Sequence, residues 1–403
     1  MKLYTLLLGL LLACPFVAAA QSPEGSAPQF SFKRGIGVVA PDSAFSLNLR
    51  FRMQSRAVYN SISKDDLGVS EYELRVRRLR LRLEGFMYSP KLTYLVQLSF
   101  SRGDMDWSMR DQSSINTSPN VLRDAAIYYR PNDNWQFIFG QTKLPGNRQR
   151  VVSSGEQQFI DRSIVNSTFN IDRDFGFQAV YSNNLGGNFH YLLKGAVSSG
   201  EGRNVFTTDK GLSYTGRVEF LPFGKFTNGG DYFEGDLERE QTMKVSLAGG
   251  MNHNEDARRT GGQTGRDLYE ATDIQTYFLD GLLKYRGIAF YAEYMAREAD
   301  RPFTYNSAGD SRYILTGHGQ NYQLSYLFKN DLELAGRYSR VTPKQEIRSV
   351  ERMEEAYIAG VTKYLRGHRL KLQGNVAYHS LNAFSPVNND YHWTGALQIE
   401  LGI

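Results

Sequence analysis

The stretch Arg75-Val76-Arg77-Arg78-Leu79-Arg80-Leu81-Arg82-Leu83-Glu84 decides the fold. From Arg78 onward it alternates, with Arg78, Arg80, Arg82 and Glu84 on one face and Leu79, Leu81 and Leu83 on the other. That is the pattern of a strand between two unlike surroundings. A helix would mix these residues around its circumference. In a water-soluble sheet the arginines would be a solvated face over a core; in a membrane barrel the leucines would face lipid and the arginines a water-filled lumen. Arg75 and Arg77 are out of phase with Arg78. The stretch therefore contains either a β-bulge or the end of a long loop, with Arg75 and Arg77 at the rim.

The rest of the chain favours the barrel. The pattern starts at 45–59, where Phe45, Leu47, Leu49, Phe51 and Met53 alternate with Ser46, Asn48, Arg50, Arg52 and Gln54. It recurs near 77–88, 92–101, 122–130, 135–142, 175–182, 189–198, 212–220, 241–251, 275–286, 288–297, 320–328, 332–339, 354–364, 369–379 and 393–403. These segments predict an all-β fold, a transmembrane antiparallel β-barrel of about 16 strands. The connections agree with it. Those near 88–91, 131–134, 286–287, 329–331 and 365–368 are short, whereas 61–76, 102–121, 142–174, 252–273, 298–319, 340–353 and 380–392 are long. Short periplasmic turns alternating with long extracellular loops suit a barrel, and a soluble sandwich has no reason to alternate so. One connection breaks the rule: 221–241 should be short and is not.

The 403 residues have a mean hydropathy of −0.45 and carry 25 Tyr and 24 Phe, a combination explained if only alternate residues meet lipid and aromatics gather at its two boundaries. Residues 1–20 read as a secretory signal, with Lys2, an apolar run Leu6 to Leu12 and cleavage after Ala20; a rival reading makes Cys14 the acylated first residue of a lipoprotein. Residues 21–44 form a polar, turn-rich N-terminal segment, and 45–403 the barrel.

The 47 Lys and Arg against 42 Asp and Glu give too small an excess for a nucleic-acid binder. The single cysteine excludes a disulfide framework. The six histidines have no metal-ligand spacing, and no phosphate-cradling glycine motif or nucleophile-base pair is present, so neither a cofactor nor an enzymatic activity is expected.

Several ordered pieces carry a family likeness: Arg77-Arg78-Leu79-Arg80-Leu81 with Glu84-Gly85, Leu122-Arg123-Asp124-Ala125-Ala126-Ile127-Tyr128-Tyr129-Arg130, Phe139-Gly140-Gln141-Thr142-Lys143-Leu144-Pro145, Phe159-Ile160-Asp161-Arg162, and Arg173-Asp174-Phe175-Gly176. In their order and spacing the sequence resembles the phosphate-selective porin O and P family of Gram-negative outer membranes. The resemblance implies a sixteen-stranded barrel, a homotrimer, surrounded by outer-membrane lipid and lipopolysaccharide, with its third long loop folded into the lumen. That loop is 142–174, the longest in the chain, with Lys143, Arg148, Arg150, Arg162 and Arg173 as candidate constriction cations.

Placing each strand's polar face inward puts Arg50, Arg52, Arg56, Arg78, Arg80, Arg82, Arg130, Lys194, Arg217, Lys244, Lys284, Arg286, Arg297, Arg337, Lys363, Arg369 and Lys371 in the lumen. The acids there are fewer: Glu84, Asp124, Glu219, Asp280, Glu293, Glu333 and Glu400. A passive channel for small anions, phosphate or other oxyanions among them, follows, with Arg50, Arg52, Arg78, Arg80 and Arg82 as its attracting ladder. Two alternatives stay open. The arginines could pair with the acids and brace the wall, or the barrel could be plugged and act through its long loops.

Overall fold

The computed structural model describes residues 27–32, 35–41, 44–101, 121–205, 210–384 and 389–403. The signal segment 1–20, with both of its cleavage sites, and most of loop 102–121 lie outside the described residues. The barrel strands are β1 (Ser46–Ser61), β2 (Val69–Met87), β3 (Ser89–Ser99), β4 (Leu122–Tyr129), β5 (Trp135–Lys143), β6 (Arg173–Asn184), β7 (His190–Ser198) and β8 (Ser213–Leu221). They continue as β9 (Lys244–Arg259), β10 (Asp267–Tyr285), β11 (Ile288–Ala299), β12 (Gly317–Leu327), β13 (Leu332–Pro343), β14 (Met353–Tyr364), β15 (Leu370–Asn382) and β16 (Asp390–Gly402). Each pairs antiparallel with the next. β16 returns to β1, from Thr394 opposite Asn60 to Gly402 opposite Arg52, and closes the barrel. Below that seam a short strand, Ile36–Val39, pairs with the free start of β1.

The wall separates two surroundings. Outward residues such as Leu279, Leu324, Val376 and Leu397 are more than half exposed, forming an apolar band for lipid. Aromatic rows edge it on both sides. Trp135 and Tyr181 lie 4.9 Å apart near the periplasmic turns, and Tyr338, Tyr357, Tyr378 and Trp393 run in sequence near the extracellular loops. Inward residues are polar and buried: Gln54, Glu219, Lys284, Asn321 and Lys371 are all 0–1% exposed. No helix of the described residues is long and apolar enough to cross a membrane.

All sixteen predicted strands are present, several of them longer than predicted. β9 and β10 stay paired beyond Asn252 and Thr276, leaving only 260–266 as loop, and 61–76 shrinks to 62–68. Above the lipid band both faces are wet, so hydrophobic alternation fades while backbone pairing continues. The out-of-phase arginines are a β-bulge. Gln54 faces Arg78 and Ser55 faces Val76, which leaves Arg77 as the extra residue.

Four cations depart from the predicted lumen. Thr362 and Tyr364 are the buried neighbours in β14, so Lys363 points away from the interior and donates to the Asn330 carbonyl. Arg130, Arg286 and Arg369 sit at periplasmic turns rather than inside, Arg286 with its guanidinium over the Tyr285 ring. The last three lie outside the strands, where alternation no longer holds, whereas Lys363 lies on the outward phase of a β14 that pairs without interruption.

Gly85 allows β1 and β2 to come close: a Cβ there would lie 1.9 Å from the Ser46 carbonyl oxygen. Gly85→Ala is expected to destabilise the barrel by about 1–3 kcal/mol. The measurement is the temperature at which the fast-migrating folded band disappears on a gel.

Candidate functional site

Residues 144–172 leave β5 and fold into the barrel. Two short helices shape them, α1 (Arg148–Val151) and α2 (Ile164–Phe169). Ser163 caps α2, its Oγ accepting from the Asn166 N–H at 3.1 Å. α2 has an apolar side. Val165 and Phe169, with Leu144 and Ile171, are buried against Ala196, Phe278, Met295 and Val341 of the inner wall. Each large side chain so buried contributes about 1.5–3 kcal/mol, enough to hold one edge of the loop to β7 and β10–β13.

Away from α2 the loop crosses the lumen on polar contacts. Its backbone carbonyls have few partners of their own, so wall cations supply the donors. Arg297 donates to the carbonyls of Thr168 (2.9 Å) and Asn170 (3.2 Å), and Arg337 to that of Asp161 (2.8 Å) while lying over the Phe159 ring. Lys371 donates to Gly155 (3.0 Å) and Gln157 (2.6 Å), and Gln373 and Thr362 to Gln158 (2.7 and 2.9 Å). At the far side Arg52 reaches Ser153 and Ser154, Arg80 reaches Ser154, and the Gln54 amide donates to the Ser154 carbonyl. The loop thus runs from β5 and β6 to β15, β16, β1 and β2.

The predicted loop cations are held within this structure. Lys143 donates to the Val151 carbonyl at 2.5 Å. Arg148 is buried, paired with Asp280 at 2.6 Å and 3.8 Å from Glu219. Arg217 bridges the same two carboxylates at 2.7 Å each, and Lys194 meets Glu219 at 2.7 Å. Arg150 pairs with Asp172, and Arg173 lies 2.9 Å from Asp124 and 3.5 Å from Asp172. Arg162 differs. It donates to the carbonyls of Gln149 (2.7 Å) and Val152 (2.8 Å), and no carboxylate of the described residues forms an ion pair with it. Burial, with Arg150 and Arg78 nearby, holds its guanidinium well below the ordinary arginine value.

Burial alone would push the Asp172 carboxyl up. The guanidiniums of Arg150 and Arg173 overcome it and hold the carboxyl well below the usual carboxylate range. Its stabilising pairing is therefore complete at neutral pH and is lost only as pH falls through that depressed value. Asp172→Asn is expected to cost about 2 kcal/mol at neutral pH, with the gap from wild type narrowing in strong acid. Folded-band melting at the two pH values measures it.

The predicted ladder divides. Arg78 and Arg80 are buried, Arg78 donating to Gln54 at 2.8 Å and Arg80 to Ser154 at 3.0 Å, and they anchor neighbours rather than line open space. Arg50 and Arg82 keep 34% and 38% of their side chains exposed. Both face the same carboxylate, Glu84, at 3.5 and 2.6 Å. Arg52, 18% exposed, shares Glu400 with Lys371 at 3.8 and 3.5 Å. Each carboxylate of this wall thus answers to two cations.

Sequence reasoning missed the apolar patch under α2. Its signal was present: Phe278, Met295 and Val341 stand in phase with polar inward residues such as Asp280, Glu293 and Ser339. An apolar side chain on a wet face implies an apolar partner.

A closed sixteen-stranded barrel with a polar interior, crossed by an inward loop, defines an outer-membrane channel of the porin type. The chain belongs to the phosphate-selective porin O and P family, whose model matches residues 47–383. Its fold is similar to that of the outer membrane channel DcaP of Acinetobacter baumannii, with a TM-score of 0.54 at 12% identity over 92% of this chain and 100% of that one. Pseudomonas putida OprB gives 0.55 at 10% identity over 90% and 95% of the two chains. An anion-selective porin from Comamonas acidovorans gives 0.52 at 13% identity over 89% and 100%. No curated protein matches the sequence.

Proposed function

We propose that the barrel is a passive, anion-preferring diffusion channel for small oxyanions, phosphate among them, narrowed by loop 144–172. One observation carries this reading: Arg50 and Arg82, both exposed to the lumen, share the single carboxylate Glu84. A wall with surplus positive charge concentrates anions and opposes cations. The buried group of Arg148, Lys194 and Arg217 with Glu219 and Asp280 is 0–12% exposed and braces the structure instead. In the same reading the chain loses residues 1–20, as its signal-like start suggests, assembles as a homotrimer, as its family resemblance implies, and sits in a membrane faced with lipopolysaccharide.

The reversal potential across a planar bilayer under a salt gradient tests the preference. Added phosphate that blocks chloride current would mark an oxyanion site, and undiminished current would mark a general pore. The second reading, a plugged barrel acting through its long loops, draws on the many contacts by which loop 144–172 crosses the lumen, and it requires the absence of conductance.

A further inference from the structure

The connection that breaks the loop-length rule, between β8 and β9, also enters the lumen. Leu221 and Phe226 pack on Leu282 and Tyr291 of the inner wall. A 3-10 turn at Thr227–Tyr232 then crosses the periplasmic end, with left-handed backbone at Asn228 and Gly229. Lys284 donates to the carbonyls of Gly230 (2.6 Å) and Phe233 (2.8 Å), and the Tyr232 hydroxyl to Glu219 (2.8 Å). Arg239 reaches the turn after β12, 2.9 Å from the Leu327 carbonyl and 3.1 Å from Asp331.

This segment is joined to loop 144–172. The Glu234 N–H donates to the Glu156 carbonyl at 2.8 Å, and its carboxylate accepts from Gln149 (3.2 Å) and from the Gln158 N–H (2.9 Å). Arg148 donates to the Asp231 carbonyl at 2.9 Å. We propose that residues 222–243 are a second constricting element, entering from the periplasmic side and latched by His368, which together with loop 144–172 fixes the bore of the channel. This rests on the reading of the lumen as a solute path.

His368 lies in the turn between β14 and β15, where the two inserts meet. Its Nε2 is 3.2 Å from the Glu234 carbonyl, and its Nδ1 is 3.3 Å from Lys371 Nζ, which also holds Gly155 and Gln157. The ring packs on Phe233 and Tyr364. An ammonium only donates, so Nδ1 accepts and Nε2–H donates to Glu234: both ring nitrogens are used in the neutral form. The charged and titratable groups around it are Lys371 with Glu400, Lys284 beneath the insert, the Glu234 carboxylate, Tyr364 with Glu333, and Arg366 and Arg369 of its own turn. Burial, then Lys371 and Lys284, hold the imidazole well below its ordinary value. Protonation places Nδ1–H against the Lys371 ammonium, so the latch holds at neutral pH and opens as pH falls through that lowered value.

Single-channel conductance of the full-length protein tests this. Replacing residues 226–238 by a short Gly-Ser turn is expected to raise conductance at least about twofold and to admit larger neutral polymers. Wild type should show a conductance rise as pH falls below the ordinary imidazole range, and His368→Gln should abolish that rise. If the deletion does not assemble, Lys284→Met, which removes the donor to Gly230 and Phe233, is expected to raise conductance in its place. Unchanged conductance in a variant that migrates as a folded barrel overturns the constricting role, and a pH-independent wild type overturns the latch. A wild type that conducts no ions refutes the channel reading itself.

Discussion

With Arg50, Arg52 and Arg82 all replaced by glutamine, the zero-current potential in a salt gradient is expected to move from the anion side to or past zero. The reason is the way carboxylates are shared on this wall. Glu400 keeps Lys371 as its partner when Arg52 is lost, but Glu84 loses both Arg50 and Arg82 and becomes an uncompensated negative charge facing the lumen. Even at water-like dielectric each nearby charge is worth about 1 kcal/mol to a passing ion, so three changes together suffice for a roughly tenfold fall in the anion-to-cation permeability ratio. The lysine triple variant, which keeps the charge, should keep the preference. If the glutamine variant is as anion-selective as wild type, discrimination arises elsewhere in the lumen.

The largest loss of stability is expected for Arg148→Met. Arg148 is 2% exposed and holds Asp280, the Ser246 hydroxyl (2.7 Å) and the Asp231 carbonyl, so it joins wall, inward loop and periplasmic segment at one point. Removing it leaves Arg217 and Lys194 as the cations of Glu219 and Asp280, and leaves the Asp231 carbonyl without this donor. Deleting one member of a buried ion group costs about 3–5 kcal/mol, because the remaining charge stays desolvated. The folded band should melt at a clearly lower temperature. The double variant with Asp280→Asn should recover part of the loss, since it removes the stranded charge as well. Equal stabilities for wild type and Arg148→Met would show that the group contributes little.

The strands were legible in the sequence because each is a local fact: two surroundings and a period of two are written into every ten residues, as in Arg78 to Leu83. The break in phase at Arg77 was legible for the same reason, but its being a bulge rather than the end of a loop was decided by the pairing of Gln54 with Arg78 and Ser55 with Val76. The interior was much less so. Lys371 and Gly155, Arg52 and Ser154, and Arg148 and Asp280 are all far apart in the chain, and nothing in the local pattern of either partner announces the other. Alternation could therefore assign Arg78 and Arg80 to the lumen face without revealing that they would be covered by the loop and its neighbours. The exceptional length of the 221–241 connection was visible, whereas its course under the barrel depends on Lys284, Asp331 and His368, on three other parts of the wall.

The seam between β16 and β1 has a consequence for how such a chain is made. The residues that complete the sheet, from Thr394 to Gly402, are made after the rest of the barrel and must find partners made more than 300 residues earlier, Arg52 to Asn60. Until they do, every copy carries two raw sheet edges, open to pairing with a neighbour. A chain cut short before Thr394 therefore yields a sticky, unsealed sheet rather than a slightly weaker pore.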